Sequence, residues 1–150
     1  MALPLVIDCR NTGEHSMNWK LVALLSLFGL AMGLSTVSLI TSTIEPFFWL
    51  VIFLFCAYVI ARRAPGKYFL HGFMVSMFNC VWITLAHASM FYTYATNHPE
   101  YMHMVKGLPP ALAGHPRRLM FLIGPISGVI FGLILGLFSW IASLIVRRLS

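Results

Sequence analysis

The sequence predicts an all-α integral membrane protein, with four transmembrane helices packed through stripes of small residues spaced four apart. Three observations predict it. The composition is 59% hydrophobic and only 9% charged, whereas a soluble domain carries roughly a quarter charged residues. The charges that do occur cluster at the ends of four apolar runs. Glycine recurs at Gly124, Gly128, Gly132 and Gly136 inside the last run, although each costs about 1 kcal/mol against alanine in an ordinary helix.

The first run, residues 20–44, carries no charge after Lys20 and exceeds the about 20 apolar residues that a span needs. It is too long for the apolar core of a signal peptide and no A-x-A site follows, so it reads as an uncleaved anchor. The second, residues 46–61 ("PFFWLVIFLFCAYVIA"), is only about 24 Å long at 1.5 Å per residue. It must thin the bilayer or borrow a turn from its flanks. The third and fourth, 68–93 and 119–146, exceed the minimum, and Pro125 either bends the fourth or marks its first turn. Trp19, Trp49, Tyr68 and Tyr92 fall near span ends, as interfacial aromatics do. The resulting organisation is a short cytoplasmic segment 1–18 and a single membrane domain 19–148, with an outer loop 94–118.

Four spans place both termini on one side. That side holds Arg10, Lys20, Arg62, Arg63, Lys67, Arg147 and Arg148; the other holds Lys106, Arg117 and Arg118. Seven cations against three favour cytoplasmic termini. The net charge of +6 is thereby accounted for by the membrane surface, with no call for nucleic acid. Cys9, Cys56 and Cys80 form no C-x-x-C, which argues against thiol–disulfide exchange. Asp8 directly before Cys9 argues against a lipoprotein anchor.

Helices in lipid gain little from hydrophobic burial against one another, so close backbone approach takes over, and small residues permit it. Four glycines four apart drift by about 40° per step. They form a slanted groove that favours a right-handed crossing near −40°. The third span offers a matching row, Gly72, Ser76, Cys80, Thr84 and Ala88, and the first adds Gly29 and Gly33. The simplest use of these stripes is to pack one chain into a four-helix unit. A second use is to receive another copy or another protein. A glycine-lined conduction path fits poorly, because selective pores carry polar rings or carbonyl filters.

No Asp, Glu, Lys or Arg lies in the central part of any span, which argues against ion-coupled transport. The third span does contain Asn79, His87 and, near its start, His71. Helical geometry turns His87 towards the small-residue row and His71 away from it. The plain expectation for His87 is a hydrogen bond to a hydroxyl of the first span, such as Ser35 or Ser38. The functional alternative is axial ligation of a tetrapyrrole by His87; bis-histidine ligation across helices would need histidine on a second span.

The outer loop "TYATNHPEYMHMVKGLPPALAGHPRR" holds His98, His103 and His115. Imidazole with thioether suits copper and imidazole with carboxylate suits zinc, so these three are the candidate metal ligands. Their spacing is unfavourable: His98 and His103 are five apart, not the three or four that shares a helix face. A surface loop with one short interfacial helix at residues 99–105 is the plainer reading. No G-x-S-x-G, H-E-x-x-H or Walker loop occurs, and the four carboxylates are scattered, so no enzyme and no resident cofactor is expected.

The segment "APGKYFLHGFMVS", the polar loop and "GPISGVIFGLILGLFSWIASLIVRR" together resemble a family of small four-span bacterial inner-membrane proteins of unknown function. The resemblance implies a fold and a bacterial membrane location but no activity; the short second span and the histidine-rich loop depart from the pattern. The functional expectation is a non-enzymatic structural or accessory subunit, packing with itself or within a larger membrane complex, with lipid as its surroundings. The alternatives are a metal or tetrapyrrole binder using His87 or the loop histidines, and a small homo-oligomeric channel.

Overall fold

The computed structural model describes residues 16–149. All regular structure among them is helical: α1 Trp19–Ser38, α2 Glu45–Arg63, α3 Tyr68–Ser89, α4 Phe91–Asn97, α5 Pro99–Lys106, α6 Pro110–Ala113 and α7 Pro116–Leu149. Of these, α1, α2, α3 and α7 are long and apolar enough to cross a membrane.

Local chemistry sets most of the ends. The Asn18 side chain accepts from the Leu21 N–H at 3.1 Å and caps α1, satisfying a donor that the helix leaves free. That helix stops at Ser38, short of the sequence-based limit at 44. Residues 35–43 are rich in Ser, Thr and β-branched side chains, which compete for the backbone or lose rotamer freedom in a helix. Pro46 lies in the first turn of α2, where its missing N–H costs nothing. With Glu45 and the two arginines included, α2 has 19 residues, longer than its apolar run alone. The turn into α3 puts Lys67 in the left-handed region, φ 47°.

The third long helix ends at Ser89, before the sequence-based limit at 93, and the chain bends at Met90 into α4. The Ser89 hydroxyl donates back to the Leu85 carbonyl, a bond that commonly bends helices. Pro125 lies inside α7, which starts at Pro116, so Pro125 does not mark its first turn.

The α3–α7 pair forms the centre, with α1 against α3 and α2 against α7. Leu25, Ile60, Val75 and Leu135 meet where the four come together. The side chains that point outwards are apolar too, as at Phe47, which is 70% exposed, and Val51. At one end of the bundle the first turn of α3 lies beside the start of α1, through Asn18 and His71, and beside the last turn of α7, through Tyr68 and Arg147. At the other, α4 and α5 cover the ends of α1, α3 and α7: Asn97 donates to the Val37 carbonyl at 3.0 Å, and the Tyr101 hydroxyl to the Pro116 carbonyl at 2.9 Å.

Candidate functional site

The small-residue rows lie where the long helices cross. An added Cβ at Gly124 would meet Thr84, at Gly128 Cys80 and Met77, at Gly132 Phe73 and at Gly136 Phe69, all on α3. At Gly72 it would meet Leu135 and Ser139 of α7. On the other side of α3, Gly29 lies against Asn79 and Gly33 against Ile83 and Ala86. Not every member of the α3 row faces a glycine of α7. Ser76 lines a small void of about 40 Å³ with Asn79 and the rings of Trp49, Phe53 and Phe131. Ala88 packs with Phe91 and Met120 under the cap. Because a row of fours drifts round the helix, Thr84 and Cys80 meet glycines near one end of the crossing, while Phe73 and Phe69 lie over the glycines at the other.

His87 points from α3 to α1, and its partner is Thr36, not Ser35 or Ser38. Thr36 Oγ1 lies 2.8 Å from His87 Nε2 and 2.8 Å from the Met32 carbonyl. With its single proton donated to that carbonyl, the hydroxyl accepts from His87 Nε2–H, a tautomer assigned from the network. The His87 ring stacks on Tyr94, centroids 4.1 Å apart, and Tyr94 stacks on His98 at 4.4 Å. Two rings this close to one phenol cannot share a face, so Tyr94 lies between the imidazoles. Beside this stack is a cavity of about 240 Å³, lined by His87, Tyr94, Tyr101, Thr84 and Ser127 among others.

Burial pushes the Tyr94 hydroxyl up to about 12, with smaller contributions from Glu45, Tyr101 and Glu100, so it stays protonated at neutral pH. Ser42 donates to the Glu100 carboxylate, which holds that group below the usual carboxylate range. A depressed carboxylate stabilises the fold above its unfolded pKa, and that contribution is lost as pH falls through the folded value. Arg117 sits over Phe91 at 5.4 Å and Tyr92 at 4.9 Å, a pair of cation–π contacts.

The three loop histidines do not converge. His98 is buried, its Nδ1 3.2 Å from the Tyr94 carbonyl, whereas His103 and His115 are exposed. Among the described residues no group of three or more His, Cys, Asp or Glu is placed to hold a metal. The tyrosine ring between His87 and His98 also keeps them from one ion, since zinc–nitrogen bonds are about 2.0–2.1 Å. Axial ligation by His87 through Nε2 would require breaking its bond to Thr36. The protein purified from its own membrane is therefore expected to carry no stoichiometric zinc or copper. One equivalent found by elemental analysis, and lost when His98, His103 and His115 are all replaced by Ala, would overturn this.

His71 is a residue whose importance the sequence does not reveal. Fully buried, it accepts the Asn18 N–H on Nε2 at 2.9 Å, while Nδ1 lies 3.1 Å from the Lys67 carbonyl. A carbonyl only accepts, so Nδ1 carries the proton. Tyr94 was equally hidden: a spacing of 87, 94 and 98 aligns on one face only when the helical path continues past Met90. Comparison with protein-family models, with curated proteins and with solved structures gave no match.

Proposed function

We propose that this is an integral protein of a bacterial cytoplasmic membrane, with four spanning helices and both termini cytoplasmic. It acts as a non-enzymatic structural or accessory subunit, in a larger membrane complex or a homo-oligomer. The observation that carries the reading is the use made of polar side chains between the long helices. Asn79 Oδ1 accepts the Gly29 N–H at 3.1 Å, His87 bonds Thr36, and Trp82 donates to Ser26 at 3.4 Å. Each of these joins α3 to α1. In lipid such bonds are glue, worth about 0.6 kcal/mol on average. The carboxylates of Glu45 and Glu100 bond Trp49 and Ser42, not a histidine, which supports a scaffold over acid–base chemistry.

The glycines of α7 support packing within the chain, because each faces a side chain of α3. The same side chains fill the groove that a conduction path along the glycines would use. The outward apolar faces of α2 and α7 are then left for lipid and for partner subunits.

Mass measurement of the protein purified in mild detergent tests the subunit reading. A homo-oligomer or a co-purifying membrane complex is expected; a lone monomer would sink it. Orientation is tested separately with cysteines introduced at Leu112 and Pro65, both exposed. An impermeant thiol reagent outside the cell should label the first and not the second, and the reverse pattern would invert the topology.

A further inference from the structure

We propose that the cleft between α1 and α2 is a binding site for an anionic phospholipid, its phosphate held by Arg62 and Arg63 and an acyl chain laid between the helices. The inference deepens the membrane reading above and rests on it. The two helices lean on different neighbours, α1 on α3 and α2 on α7, and touch each other little. Phe28 and Phe55, edge to face at 5.6 Å, bridge the gap. Around them is an open cleft of about 730 Å³, within the range of about 300–1,000 Å³ that small-ligand sites occupy.

The lining divides by chemistry. Leu24, Leu27 and Ala31 of α1 face Phe55 and Val59 of α2 along the walls, and Arg62 and Arg63 stand at the rim. An acyl chain fits the first part and a phosphate the second. The Arg62 guanidinium lies over the Tyr58 ring at 5.9 Å, which holds it along the cleft wall. Guanidinium forks match phosphate oxygens in geometry as well as charge. The described carboxylate on this helix, Glu45, begins α2, 17 positions and so about 26 Å away at 1.5 Å per residue. A headgroup phosphate supplies the negative charge that the described residues of the rim lack, and basic pockets between spanning helices on the cytoplasmic side take such headgroups.

The full chain in membranes is first washed with alkaline carbonate. Release into the supernatant would overturn the membrane reading, and the site with it. The carbonate-resistant chain is then purified and mixed with phosphatidylglycerol or with phosphatidylcholine of the same acyl chains, and retained lipid is counted by native mass spectrometry. One phosphatidylglycerol per chain is expected, retained at least tenfold over phosphatidylcholine. The double variant R62Q/R63Q should lower it to the phosphatidylcholine level, and Ala31→Trp, which fills the cleft without changing charge, should lower it as well. R147Q/R148Q removes two cations from the same end but outside the cleft, and should leave retention unchanged. Equal retention of the two lipids, or equal losses in the two arginine pairs, would show diffuse surface attraction and overturn the site while leaving the membrane reading intact.

Discussion

Gly29→Ala should destabilise the protein by about 1–3 kcal/mol, the usual cost of overfilling a packed core. This is expected even though alanine is the better helix former by about 1 kcal/mol. The reason is what the new methyl would meet. It would lie 2.4 Å from the Asn79 Cα and 2.7 Å from Asn79 Oδ1. Rotating a side chain cannot relieve a clash with backbone, so α1 and α3 must part. Parting them also weakens the bond from the Gly29 N–H to Asn79 Oδ1. Gly128→Ala is the internal comparison. There the methyl would touch Cys80 Cβ and Met77 Sδ, each at 3.2 Å, and the end of a methionine yields cheaply. Its packing cost and propensity gain should nearly cancel. Thermal melting in detergent, with mass measured alongside, reads both. Gly29→Ala should melt clearly lower as a species of unchanged mass, while Gly128→Ala stays near the parent. Equal melting of the two variants would show that backbone approach at Gly29 does not limit the packing.

The four long apolar helices were legible because lipid imposes its rule on composition directly: a span has to be apolar over its length, and charges collect at its ends. The ends themselves were less legible. Residues 39–44 are as apolar and uncharged as a span requires, yet α1 closes at Ser38, where Ser, Thr and β-branched side chains weaken helix formation. Hydropathy does not register that competition. The bend at Met90 was hidden for the same reason, because a serine's bond to its own helix leaves no trace in the apolar pattern.

The rows of small residues showed their period but not their partners. Spacing alone cannot tell that Gly132 lies under Phe73 while Gly124 lies under Thr84, because the pairing depends on the crossing of two helices. A turn of 100° per residue carries His87 only as far as the small-residue row; that it meets Thr36 of the first span, and not the fourth, does not follow from that angle. The choice of Thr36 over Ser35 or Ser38 follows from the rotation of α1, which puts Gly29, Gly33 and Thr36 on the face towards α3. The stack of His87, Tyr94 and His98 required the helical path to run on through Met90 into α4, beyond the point where the apolar pattern of the span stops.

His71→Ala should be the most damaging change at the end of the bundle where α1 starts and α7 finishes. The imidazole has no exposed surface and joins two segments 53 residues apart through the Asn18 N–H. Its loss leaves that half-buried N–H without its acceptor, at a cost that reaches about 1–3 kcal/mol where water is shut out, and it leaves a cavity whose cost adds to this. Asn18 is a sensitive place for such a fault, because its own side chain caps α1. Disturbing its backbone therefore disturbs the first turn of the helix that packs along α3. Two further substitutions separate volume from hydrogen bonding. His71→Phe restores most of the volume but offers no acceptor, whereas His71→Gln can present an amide oxygen to Asn18. If the bond dominates, melting should fall in the order parent, Gln, Phe, Ala, with Phe close to Ala. If volume dominates, Phe should lie close to the parent and above Gln. Parent-like melting of His71→Ala would mean that water reaches the Asn18 N–H and that this histidine does not tie α3 to α1.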